Sequence, residues 1–154
     1  MSRVLVLGAG GPAGGQFIRS LRLAKTPYTI IGADSSPYLL EFSQTSERVL
    51  LPAAGEITFP DRLLEIIRDF QPALVYAAPD TCVLAVSHLR KEIEAEGCRV
   101  FLPSPFTIER VTPSKQPLTG ATYAVQTLWW RGRLVILQAR RRIMWMAGAS
   151  QVSE

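Results

Sequence analysis

The most chemically informative stretch of this chain is Gly8-Ala9-Gly10-Gly11-Pro12-Ala13-Gly14, which lies between a short apolar run and a helical pattern. Gly8 permits a tight turn, Gly10 would let backbone approach a phosphate, and Ala13 stands where a small residue allows a helix to pack on a strand, so G-x-G-x-x-A is satisfied. Gly8, Gly11 and Gly14 also spell G-x-x-G-x-x-G, and the spacing does not select one ligand class. A helix starting near Pro12 would aim free N–H groups and its positive dipole end at an anion. Asp34 follows the turn by the interval at which an acidic side chain accepts hydrogen bonds from ribose hydroxyls. Sharp reversal alone also explains the glycines, and capping of the loop Ser35-Ser36-Pro37 also explains Asp34.

Asp80, after Pro79, is the other candidate for the same crevice, with the N-cap of the following helix as its competing role. No Tyr-x-x-x-Lys pair follows any of Tyr28, Tyr38, Tyr76 or Tyr123, so the residues point to ligand binding and assign no catalytic group. Cys82 and Cys98 lack C-x-x-C spacing and histidine partners, and they read as reduced, structural thiols with no metal site. The lone His88, beside Arg90 and Lys91, reads as solvent-exposed.

These residues need elements to hold them. Five short, nearly all-apolar runs, Val4 to Leu7, Tyr28 to Gly32, Arg48 to Leu51, Ala73 to Ala77 and Arg99 to Leu102, have the pattern of buried parallel strands. Helical patterns alternate with them: one after the glycine turn to about Lys25, one from about Pro60 to Phe70, and one from about Thr81 to Glu96 with Gly97 placed to cap it. The alternation predicts an α/β fold, a Rossmann-like doubly wound parallel sheet of about five strands. A small-molecule ligand would then sit beyond the strand C-terminal ends, at Gly8 to Gly14, Asp34 to Pro37, Pro52 to Gly55 and Ala78 to Thr81.

Beyond this region the composition changes. Residues 1 to 109 hold ten Lys/Arg against twelve Asp/Glu, while 110 to 154 hold seven against one, so net −2 and net +6 make up the +4 of the chain. Trp129, Trp130 and Trp145 all fall in the later part, interleaved with Arg131, Arg133 and Arg140 to Arg142. A contiguous basic surface does not follow from that interleaving, and nucleic acid is not the expected partner. Arg133 to Met146 is compatible with a hairpin turning around Ala139 to Arg142, with a helix, or with no order. The sequence of the tail selects none of these three, and a homo-oligomer burying the three tryptophans is one use for it. The apolar run at the start is too short for a secretory signal and no run spans a bilayer, so the expectation is a cytoplasmic protein off the membrane.

The phrases GAGGPAG, IGADSSPY, VLLP, Pro79-Asp80 and FLPSPFTIERVTPSK, in this order, resemble the N-terminal domain of ATP-grasp ligases, in the carbamoyl-phosphate-synthase-like branch. The resemblance covers Arg3 to about Lys115. It implies a Rossmann-like leading domain that usually holds no dinucleotide and lines the acceptor-substrate side through Gly10, Gly11, Asp34 and Asp80. ATP and magnesium would be held by later subdomains, with Lys115 opening the linker to them. After Lys115 no lysine and only Glu154 among acids remain, so that half is not in this chain. The expected organisation is therefore a pre-ATP-grasp domain, 1 to 115, and a basic Trp/Arg-rich tail, 116 to 154, read as a truncated or frameshifted remnant or a genuine short tail. The function expected is a substrate-side domain inactive alone, with a small NAD(P)-binding Rossmann module or a non-catalytic oligomerising domain as the alternatives.

Overall fold

The computed structural model describes residues 2–111, 123–146 and 149–153. The chain divides into two compact units, Met1–Thr112 and Pro113–Glu154.

In the first unit, strand β1 (Ser2–Leu7) runs into the glycine turn and helix α1 (Pro12–Arg22). Pro12 occupies the first helical position, where its missing N–H costs nothing. Strand β2 (Tyr28–Asp34), helix α2 (Pro37–Phe42) and strand β3 (Glu47–Leu50) follow. Helix α3 (Phe59–Phe70) ends at Gln71, whose left-handed φ of 46° closes it just before Pro72, and leads into strand β4 (Leu74–Ala77). Helices α4 (Asp80–His88) and α5 (Arg90–Ala95), strand β5 (Arg99–Val100) and helix α6 (Pro105–Val111) complete the unit.

The strands pair only in parallel, in the order β3-β2-β1-β4-β5. The expected five strands are present, with ends shifted by a few residues. Because side chains alternate across a strand and both sheet faces are covered, nearly every residue of a central strand is apolar. Leu5, Leu7, Ile31 and Val75 pack on one face against Leu63, Ile66 and Ile67 of α3, Val86 of α4 and Ile93 of α5. Val4, Val6 and Ile30 pack on the other against Ile18 of α1, where Phe17 stacks on Tyr76 with centroids 3.7 Å apart.

Three elements depart from the sequence reading. The single helix expected over Thr81 to Glu96 is two, because Leu89 leaves the helical region (φ −86°, ψ 9°); past that break Ile93 is fully buried in the core. The loop expected at Asp34 to Pro37 ends in α2, capped by Ser36, whose Oγ accepts the Leu39 N–H at 3.3 Å. Helix α6 has the same signal: Ser104 Oγ accepts the Thr107 N–H at 3.2 Å just before Pro105.

In the second unit, strands β6 (Tyr123–Trp130), β7 (Arg133–Met146) and β8 (Ala149–Ser153) form an antiparallel sheet in that order. The segment from Arg133 to Met146 is thus one strand, and the turn lies before it at Arg131 and Gly132, not around Ala139 to Arg142. Both turn residues have positive φ, 49° and 75°, the two-residue geometry that matches the twist of a hairpin. Lys115 lies outside the described residues, as do the side chains of Trp129 and Trp145.

Candidate functional site

The glycine turn is built by close approach. Gly8 takes φ +70°, and its N–H and that of Ala9 both donate to the Ala33 carbonyl, at 2.8 and 3.1 Å. A Cβ at Gly8 would stand 2.6 Å from the Pro79 ring. A Cβ at Gly14 would stand 2.2 Å from the Gly8 carbonyl oxygen, so it is Gly14 that lets α1 press on the turn, while Ala13 is exposed. Close approach requires glycine at 8, 10 and 14, so neither of the two spacings legible in the sequence is followed in full.

Gly10 is not open to a phosphate. A Cβ there would fall 1.9 Å from the Leu39 carbonyl oxygen of α2, and its N–H donates to Asp34 Oδ2 at 3.2 Å. Gly11 is different. A Cβ would meet only the Gly8 carbonyl oxygen, at 3.4 Å, and Gly11 caps α1 without a side chain, so the helix start is bare. No acidic residue sits in that first turn, which leaves the positive dipole end unneutralised by its own side chains.

Asp34 ends β2 and is 6% exposed. Its Oδ1 accepts the Ser36 N–H at 3.1 Å, so it does cap the following loop, and its Oδ2 is bound to Gly10. An ionised carboxylate offers about four acceptor positions, so two backbone donors leave capacity on both oxygens.

A cavity of about 230 Å³ opens beyond the ends of β1, β2, β3 and β4, lined by Gly8, Gly11, Asp34, Pro52, Thr81 and Cys82 among others. It lies where the strand-end rule puts a ligand. A second cavity of about 190 Å³ shares Gly8, Gly11 and Pro79 with it and adds Ala13, Gly14 and Ala78. The start of α1 therefore stands between two hollows. Burial pushes the Cys82 thiol up, opposed by a hydrogen bond with Thr81 and reinforced by the nearby Asp34 charge, so it is held neutral and is a poor nucleophile.

Asp80 joins neither cavity. It is the exposed first residue of α4, and Pro79, not Asp80, holds the N-cap position. Its role as cap fails because the chain turns into the helix one residue earlier. His88 is exposed, with Nε2 3.8 Å from Glu109 Oε1. The sequence reading missed Leu39 and Cys82 as site residues; Ser36-Pro37, a capping residue followed by proline, was the available signal for the helix that carries Leu39. Among the described residues no three His, Cys, Asp or Glu side chains gather as a metal site, and no helix is long and apolar enough to cross a membrane.

A parallel sheet in the order 3-2-1-4-5, with a glycine turn after its first strand at the reversal point, defines a Rossmann-like α/β domain. No protein-family model and no curated protein matches the chain. Among solved structures it is similar to a dTDP-glucose 4,6-dehydratase from Bacillus anthracis str. Ames, crystallised in complex with NAD, at 19% identity and a TM-score of 0.48 over 66% of this chain. The matched part spans 36% of that protein's chain.

Proposed function

We propose that the Met1–Thr112 unit is a nucleotide-binding Rossmann module that takes the adenosine and pyrophosphate of NAD. The observation that carries this reading is that the Asp34 carboxylate and the bare, side-chain-free Gly11 at the start of α1 line one cavity. Asp34 would accept the ribose hydroxyls with its remaining lone pairs, and the α1 N–H groups would receive phosphate oxygens. At about 230 Å³ the cavity is below the roughly 300 to 1,000 Å³ of sites that enclose a drug-sized ligand, so it suits the adenosine half; the rest would pass over Gly11 into the second hollow. Nicotinamide, when bound, supplies hydride transfer; this chain's residues hold and orient the cofactor.

The same carboxylate opposes a 2′-phosphate. Like charges about 4 Å apart cost about 4 kcal/mol at an effective dielectric of 20, about 1,000-fold, and with salt screening the preference for NAD over NADP should still be about 100-fold. Isothermal titration of the full chain with NAD, NADP and inorganic phosphate tests this. Heat with NAD and a much weaker NADP response is expected; no heat with NAD, or equal response to all three, ends the reading.

A second reading, the substrate-side domain of an ATP-grasp ligase-like protein, is favoured by Gly10. With its N–H on Asp34 and its α-carbon under Leu39, the second glycine offers no approach to a pyrophosphate. On this reading magnesium and ATP would be held by later subdomains, as the resemblance implies. Binding of small carboxylates at this site with indifference to NAD would favour this second reading.

A further inference from the structure

The second unit presents charge and aromatic surface in an order that the sequence alone does not reveal. Residues paired across an antiparallel ladder share a face. Along one face of the β6–β7 hairpin, Trp130 stands opposite Arg133, Leu128 opposite Ile136, Gln126 opposite Gln138, and Ala124 opposite Arg140. Trp130 is 68% exposed, and Arg133, Arg140 and both glutamines are exposed too. Arg131 reaches over the Trp130 ring, 5.8 Å from its centroid. Among the described residues none of these arginines has an ion-pair partner, and Glu154 is the only acid in the chain after Glu109.

We infer that this face is a docking surface for single-stranded nucleic acid. The argument rests on charge complementarity with an aromatic platform beside it. Arg133 and Arg140 lie roughly 20 Å apart along the strand at about 3.3 Å per residue, a span of about three nucleotides of an extended single strand, so the two cations would meet phosphates that flank a short run of bases. Trp130 offers a ring to an unpaired base, and Gln126 and Gln138 offer amide donors and acceptors to base edges between the two cations. An acidic membrane would match the charge, and exposed Leu128 and Ile136 on the same face would suit it, but the side-chain amides of Gln126 and Gln138 match base edges and favour the nucleic acid. Nucleic acid is not the partner expected from sequence; what supports it is the register, which puts onto one face groups that are scattered in the chain.

All three tryptophans lie in the second unit, so intrinsic fluorescence reports on that unit alone. The test titrates the full chain with a fluorescein-labelled oligo(dT) or oligo(U) of about a dozen nucleotides, across a salt series. Binding with tryptophan quenching is expected, and log affinity should fall with log salt by about 0.7 per phosphate contacted. Arg133→Gln with Arg140→Gln should flatten that slope by about 1.4. Trp130→Ala should weaken binding about tenfold, and Trp130→Phe, which keeps a stacking ring, should restore most of it. Absence of binding at low salt overturns the inference. So does unchanged affinity in Trp130→Ala, or binding to phosphatidylserine vesicles without binding to the oligonucleotide.

Discussion

The carboxylate of Asp34 accepts the backbone N–H of Gly10 at 3.2 Å, joining the end of β2 to the turn after β1 across 24 residues of chain. This one contact withdraws the second glycine from ligand contact and fixes the acidic side chain at the wall of the cavity. It also gives Asp34 a structural role, because its other oxygen holds the Ser36 N–H.

Asp34→Ala should therefore leave two backbone donors without their partner. An unsatisfied buried group costs about 1 to 3 kcal/mol; both of these bonds are only part-buried, so urea unfolding should show a combined loss of about 1 to 3 kcal/mol. Asp34→Asn, which keeps one acceptor oxygen and loses the charge, should lose about 1 kcal/mol and relax the preference for NAD over NADP. Stability unchanged in Asp34→Ala would mean that the contact is not formed in solution.

The glycines of the turn should separate by role. Gly14→Ala forces a Cβ to 2.2 Å from the Gly8 carbonyl oxygen and should cost about 1 to 3 kcal/mol as α1 is pushed off the turn. Gly11→Ala meets nothing nearer than 3.4 Å and should unfold at nearly the wild-type denaturant concentration, yet bind NAD more weakly, because the added methyl occupies the helix start. Equal destabilisation of the two would refute the division of labour.

Cys98, 1% exposed, should make stability depend on alkaline pH. Burial pushes its thiol up from 9.0 to about 11, against a smaller opposing backbone hydrogen bond from Val75. Above pH 9 the unfolded chain sheds this proton while the folded chain keeps it, so the folded state binds more protons and stability falls as pH rises. The contribution is complete below about pH 9 and gone above about 11. Chemical unfolding across that window should show a steeper decline in the wild type than in Cys98→Ala, and Cys98 should resist alkylation near neutral pH.

Ser87 ties α4 to the segment after β5. It is 3% exposed, and its Oγ donates to the Pro103 carbonyl at 2.6 Å. Ser87→Ala should cost about 1 kcal/mol in thermal or urea unfolding. Faster amide exchange should also appear at Thr107 and Ile108 of α6, whose first turn follows Pro103 directly.

Much of the fold was legible in the chain itself. Apolar runs such as Val4 to Leu7 and Ala73 to Ala77 have only one stable setting when helical patterns separate them, since each must be buried on both faces. Glycine at 8, 11 and 14 announced a strand-to-helix turn, and Asp34 announced an acidic strand end. Other features were illegible because they arise from approach between distant segments. Whether Gly10 or Gly11 faces a ligand depends on where Leu39 lands, and no spacing encodes that. Asp80 looked like a crevice residue only while the exact start of α4 was unknown. In the tail, Arg131-Gly132 is a weak turn signal because arginine seldom takes positive φ, so the hairpin had no marker.

By itself the sequence determined the α/β class, the parallel sheet and the location of the glycine turn, because periodicity and glycine content are local properties that burial reads directly. Only the tertiary structure decided which glycines pack and which stay open, that Asp34 is shared between fold and cavity, and that a register shift between Leu128 and Trp129 brings Arg133 into line with Arg140, the glutamines and Trp130 on one face of the hairpin. Those outcomes are set by contacts between residues far apart in the chain, whose geometry exists only once the sheets are formed.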